Sequence, residues 1–148
     1  MLGISLLRSP LYPDPFSDEG EHRFTYSLFP HPGDWTEAGV TREAFSLNSP
    51  LLAGTDEGEP SEHWFVAAGG VELALGSLKK AEDGRGVILR LYEPHGARGS
   101  ATLRFASGVE RVERVNLLEE PERAVEVQAD DVLLDDVRPF EVLTLRVE

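Results

Sequence analysis

Residues 71–93 alternate, turn and alternate again, and this stretch constrains the fold more than any other. Val71, Leu73 and Leu75 fall on one face of an extended segment, with Glu72, Ala74 and Gly76 on the other. Lys79-Lys80-Ala81-Glu82-Asp83-Gly84 follows as a polar turn, in which Asp83-Gly84 and Gly86 tolerate positive φ. Val87, Leu89 and Leu91 then oppose Ile88, Arg90 and Tyr92. Both of those faces are largely apolar, which predicts a central strand covered on two sides. Such a hairpin is the nucleus of a β-sandwich, a scaffold rather than a site.

The same alternation recurs downstream. It predicts strands over 64–68, 71–78, 86–93, 100–105, 109–118, 124–128 continuing at 132–134, and 140–147. Turns are expected at Pro94-His95-Gly96, Ser107-Gly108 and Glu120-Pro121. Upstream, residues 3–8 and 22–29 also read as strands, the second with Phe24, Tyr26 and Leu28 on one face. Between them Pro10, Pro13 and Pro15 impose an irregular extended loop.

One helix is predicted over 35–47. Asp34 is its N-cap, Glu37 completes a capping-box-like pair, and Trp35 and Phe45 anchor its inward face. Gly39 weakens it by about 1 kcal/mol against alanine, and Asn48 and Pro50 stop it. Residues 51–62 shift to Gly, Thr, Asp, Glu, Pro and Ser, an acidic loop or linker. The expected fold is mainly β: an antiparallel β-sandwich of about 8 to 9 strands with one short α-helix near 35–47. The expected division is 1–50, the linker 51–62, and a terminal sandwich at 63–148.

Charge and cysteine usage narrow the function. The 148 residues carry 27 acidic and 14 basic side chains, a formal net charge of -13. That disfavours nucleic acid, which needs a surplus of Lys and Arg, and equally an anionic membrane surface. The absence of cysteine excludes disulfides, thiol catalysis and cysteine-ligated zinc, and is compatible with a reducing cytoplasm. No apolar run approaches the roughly 20 residues that span a bilayer. Residues 1–8 lack a basic leader and read as strand rather than signal peptide.

No set of side chains forms a complete active site. Asp14, Asp18, Glu19 and Glu21 cluster near His22, yet they lie in a hydrophilic loop with no apolar pocket to raise a carboxyl pKa for glycosidase chemistry. They could offer oxygen ligands to a hard cation, but their spacing is not that of an EF-hand. His22, His31, His63 and His95 are scattered, and Ser5, Ser9 and Ser77 lack a nucleophile-elbow context. Tyr12, Phe16, Trp35, Trp64 and Tyr92 are candidates for a sugar platform, although aromatics at strand and helix periods more often fill a core. No catalytic residue and no metal ligand is assigned.

Four strings carry a family likeness. Gly3-Ile4-Ser5-Leu6-Leu7-Arg8-Ser9-Pro10-Leu11-Tyr12-Pro13-Asp14-Pro15, continued by residues 18–31, resembles the C-terminal β region of glycoside hydrolase family 38 α-mannosidases. So do residues 78–84 with Leu89-Arg90-Leu91-Tyr92-Glu93, the string Asn116-Leu117-Leu118-Glu119, and residues 138–146. The likeness covers nearly the whole chain. It implies a retaining exo-α-mannosidase whose aspartate nucleophile and divalent metal, usually zinc, sit in an N-terminal α/β barrel and the helical segment after it. It therefore implies a non-catalytic portion here, with no cofactor of its own, and the barrel of the same enzyme as its partner. A mannose-containing glycan and a homodimer are further possible partners. A basic residue from this β region can approach the sugar in the family, and Arg8 is the candidate, with Tyr12 and Asp14 beside it. The rival expectation is a stand-alone carbohydrate-binding or assembly module with no enzymatic activity.

Overall fold

The computed structural model describes residues 3–49, 65–106 and 109–148. Trp64, His63, Pro50, the expected linker 51–62 and the Ser107-Gly108 turn lie outside the described residues. The chain separates into two compact units, Met1–Val40 and Thr41–Glu148.

The first unit departs from expectation. Residues 3–8 and 22–29 are not strands: no ladder forms on either, and Ile4, Leu6, Phe24, Tyr26 and Leu28 are exposed. Alternation gives a strand two usable faces but not a neighbour. Without a paired edge its backbone donors turn to water instead. The polar loop between them is stitched by aspartates. Asp14 Oδ1 accepts from Phe16 N at 2.9 Å, and Asp18 Oδ2 accepts from Ser9 N at 3.1 Å.

The helix, α1 (Val40–Asn48), starts later than predicted. Asp34 does cap, accepting from Thr36 N at 2.8 Å and Glu37 N at 2.9 Å, but what it caps is a turn. Gly39 adopts φ of +67°, which breaks the right-handed run before Val40. The stop at Asn48 is as expected, with Asn48 Nδ2 donating back to Ala44 O at 2.8 Å. α1 buries none of its residues, so Phe45 is no core anchor.

Eight antiparallel strands make up the rest: β1 (Phe65–Gly70), β2 (Ala74–Lys80), β3 (Val87–Tyr92), β4 (Gly99–Phe105), β5 (Val112–Val115), β6 (Pro121–Gln128), β7 (Asp131–Val137) and β8 (Val142–Val147). Their order across the sheet is β1-β4-β7-β6-β5-β8-β3-β2. β6 is the corner: residues 121–125 pair with β5 and residues 126–128 pair with β7. The sheet thereby curls, and its two halves meet across one apolar core. Leu89, Leu91, Leu143 and Leu145 come from one half, and Ala101, Leu103, Val132 and Leu134 from the other.

The central position expected for β3 is observed. It pairs with β2 on one side and β8 on the other. Leu89 and Leu91 enter the main core, while Ile88 on the opposite face packs with Ala81 and Val115 in a second, smaller cluster. What was read as a single interrupted strand over 124–134 is a hairpin, β6 and β7, joined by Ala129 and Asp130.

Candidate functional site

Two groups of buried charge stand out in the second unit, both built on the ends of β3, β5 and β8. The first covers the outer face of β8. Arg146 is buried and donates from Nη1 to Asp83 at 2.9 Å and from Nη2 to the Glu119 carbonyl at 3.2 Å. The Glu119 carboxylate in turn takes the Lys79 ammonium at 2.7 Å and the Glu82 N–H at 2.8 Å. Lys79, through its bond and charge, and the Glu82 N–H hold the Glu119 carboxyl below its usual range, and Glu119 raises Lys79 in return. The β2–β3 turn and the β5–β6 loop are thus clamped together over Ile88. Each charged group here pairs with another, which makes the cluster structural, while the buried Arg146 Nε has no hydrogen-bond partner among the described residues.

The second group surrounds the turn between β7 and β8. Arg138-Pro139-Phe140-Glu141 is closed by Glu141 N donating to Arg138 O at 3.1 Å. Pro139 suits the first central position, but Phe140 occupies the second with φ of +57°, where glycine or asparagine is the usual residue. A buried carboxylate holds it there. Glu93, 1% exposed, accepts from Phe140 N at 2.9 Å, His95 N at 2.8 Å and Gly96 N at 2.6 Å. Burial pushes the Glu93 carboxyl up, and the N–H groups of Phe140, His95, Ala97 and Gly96 outweigh it, leaving the pKa lowered. The Phe140 ring lies over Gly96, where an added Cβ would come within 2.9 Å of it, yet Phe140 remains 69% exposed.

Glu141 completes the group. Burial raises its carboxyl, but Arg138 and Arg114 prevail and bring it to about 2. Arg138 reaches it through Nε at 3.1 Å and Nη2 at 2.6 Å, and Arg114 through Nη2. These side chains, with Asn116, Leu117, Glu122, Val142 and Thr144, line an open cleft of about 390 Å³.

The expected sugar-approaching residues sit elsewhere, in the first unit. Arg8, Tyr12 and Asp14 are all exposed, on the loop that the Asp14 and Asp18 turns shape. Arg8 makes no ion pair among the described residues. The carboxylates near His22 do not converge: Glu21 pairs with Arg23 at 2.7 Å and Asp18 caps Ser9. Of the candidate aromatics, Tyr12, Phe16 and Trp35 are exposed, and Tyr92 is half-buried beside Phe45 in a hollow of about 190 Å³. Sequence reasoning passed over Glu93, Phe140 and Glu141. The available signal was an Arg-Pro turn lacking glycine, preceded in space by an acid directly ahead of Pro94-His95-Gly96.

Among the described residues, the divalent metal that the family resemblance implies finds no fitting set of ligands. Among the described residues no three His, Asp or Glu side chains could hold a metal ion, and the buried carboxylates are committed to arginine, lysine or backbone N–H groups.

The curled eight-stranded antiparallel sheet closes around one apolar core as a β-sandwich module. The model of the glycosyl hydrolases family 38 C-terminal beta sandwich domain matches residues 72–145, half of the chain, and the chain belongs to that family. Among relatives, human alpha-mannosidase 2C1 is 38% identical over 98% of this chain, and alpha-mannosidase G of Dictyostelium discoideum is 33% identical over 98%. The alpha-mannosidase of Saccharomyces cerevisiae is 25% identical over 99%. The chain spans only 14% to 16% of the length of these relatives. Among the described residues, no helix is long and apolar enough to cross a membrane.

Proposed function

We propose that this chain is the non-catalytic C-terminal portion of a family 38 α-mannosidase. It supports or walls the barrel that hydrolyses terminal α-mannosides in the intact enzyme. The observation that carries this reading is the pairing of near-complete coverage with small share: 98% of the chain aligns with 14% of human alpha-mannosidase 2C1. Zinc and the aspartate nucleophile then belong to the barrel, and this chain contributes shape and surface. The division that goes with this reading is 1–50 as the end of the large β-sandwich region plus the helix, 51–62 as an acidic loop or linker, and 63–148 as the terminal sandwich. Arg8, with Tyr12 and Asp14, approaches the sugar from the first of these; its exposed guanidinium, in no ion pair among the described residues, suits a grip on vicinal hydroxyls. We place the protein in the cytoplasm, with which a chain free of cysteine is compatible.

The test is an assay of the purified chain with an aryl α-mannoside, with and without added zinc or cobalt. No turnover is expected. Turnover above a matched blank contradicts the proposal, and specific retention of mannose-containing glycans by the isolated chain supports the rival binding module instead.

A further inference from the structure

We infer that the hollow between α1 and the β2–β3 hairpin is a binding site for one uncharged pyranose ring. The inference goes beyond the function proposed above, since it gives this chain a ligand site that needs no catalysis.

Three elements build the hollow. α1 supplies Thr41, Arg42 and Phe45, the residues entering β2 supply Glu72 and Leu73, and the end of β3 supplies Tyr92. All of them belong to the second unit. At about 190 Å³ the space suits a single sugar ring rather than an oligosaccharide. Its walls are fixed in advance. Ala74 pairs with Tyr92 across the β2–β3 ladder. Pro94, which also lines the hollow, is buried, and the Glu93 carboxylate pins the turn after it through His95 N at 2.8 Å and Gly96 N at 2.6 Å. Preorganisation of this kind lowers the cost of binding.

The polar groups here are unspent, unlike those of the two buried charge clusters. Among the described residues, the Arg42 guanidinium, the Thr41 hydroxyl and the Tyr92 hydroxyl make no hydrogen bond or ion pair. Glu72 Oε2 lies 3.2 Å from His95 Nε2, which orients the carboxylate and leaves its other oxygen as an acceptor. Phe45 is 41% exposed on a helix that buries none of its residues, and Tyr92 is half-buried, so both aromatics keep surface open to a ligand.

These features select the occupant. Aromatic and leucine surface calls for an apolar face, whereas a guanidinium fork, a carboxylate and two hydroxyls call for groups that both donate and accept. A pyranose offers both, with C–H bonds on its faces and hydroxyls around its edge. An anion would meet Glu72 within a chain of net charge -13, and a cation would meet Arg42, so the ring is uncharged. A purely apolar occupant would cover the polar groups without answering them.

The test follows the amide resonances of the whole chain by NMR while methyl α-D-mannopyranoside or methyl α-D-glucopyranoside is added, with acyclic mannitol as the comparison. Either pyranoside should give saturable shifts confined to residues 41–45, 72–75 and 92–96. A Kd of about 1 mM is expected from the energy that a small ligand gains per atom. At that strength the sugar would not be retained on a glycan matrix, so this test and the retention assay above fail separately. Arg42→Ala should weaken binding by about tenfold, the worth of a charge-assisted contact, and should leave Tm unchanged because the guanidinium has no partner to lose. Tyr92→Leu should weaken it at least as much through loss of the ring; should that variant fail to fold, Arg42→Ala alone decides. No saturable shifts, shifts centred elsewhere, an equal response to mannitol, or undiminished binding by Arg42→Ala would each overturn the inference. Shifts of the same residues on raising the protein concentration without sugar would make a second copy the occupant and overturn it as well.

Discussion

Glu93 and Phe140 stand 47 residues apart in sequence, and a carboxylate oxygen of the first accepts the backbone N–H of the second at 2.9 Å. The same carboxylate binds the N–H groups of His95 and Gly96, so one buried acid fastens the β3–β4 loop to the β7–β8 turn. The Glu93 N–H adds a backbone bond to the Glu141 carbonyl at 2.9 Å at the same end.

Replacing Glu93 with glutamine tests the clasp. The amide keeps the shape but turns an NH₂ towards N–H donors, leaving buried groups unpaired at a cost of about 1–3 kcal/mol. Thermal unfolding should show Tm lowered by roughly 4 to 8 °C per kcal/mol lost. An unchanged Tm would mean that water or a rearranged loop satisfies the donors.

Glu141 predicts an acid dependence. Its carboxyl is lowered to about 2 in the fold from an ordinary value of 4.5, so the folded state holds its proton less tightly than the unfolded one. The stability it contributes is therefore complete above about pH 5 and is lost as pH falls towards 2. Carbon-detected NMR of the Glu141 carboxyl should place its midpoint near the low end of that window. Arg138→Ala should move the midpoint upward and reduce the loss of stability on acidification. A wild-type midpoint between 4 and 5 would show that the arginines are not in contact with it.

The exposed apolar side chains of the first unit predict association. Ile4, Leu6, Phe24, Tyr26 and Leu28 remain in solvent with no ladder on either segment. Burying these side chains against a second chain would remove their apolar surface from water, and the net charge favours a closed dimer over a precipitate. Light scattering at micromolar concentration should report a dimer. A monomer with residues 3–30 strongly protected from amide exchange would show that the unit closes on itself.

Arg8 predicts a kinetic effect without a structural one. In an intact α-mannosidase carrying this region, Arg8→Ala should lower kcat/KM about tenfold to a hundredfold, the worth of a charge-assisted contact. Tm should hardly move, because Arg8 makes no ion pair among the described residues. Wild-type kinetics with a lowered Tm would assign it a structural role.

How far the sequence carried can be judged on particular residues. β3 was legible because two-faced alternation in residues 87–92 has few outcomes other than a central strand. The Asp83-Gly84 turn was legible because few residues accept positive φ. Residues 22–29 were misread because the same alternation is necessary for a strand but does not supply a neighbour. Gly39 was read as a weak point in a helix, where its positive φ makes it the break itself. The Glu93 clasp was invisible because its partners meet only after the sheet curls, and no local pattern encodes a contact across 47 residues. Phe140 at positive φ breaks the local rule that sequence reasoning relies on, and such exceptions gather at functional or strained positions.

The central claim is that this chain serves a catalytic portion supplied by the rest of a family 38 polypeptide. The direct measurement is hydrolysis of an aryl α-mannoside by human alpha-mannosidase 2C1 lacking its matching region, with this chain added at increasing concentration. Saturable recovery of activity that neither component shows alone is the predicted result. Activity of the trimmed enzyme that is the same with and without the chain, or turnover by the chain alone, would contradict it.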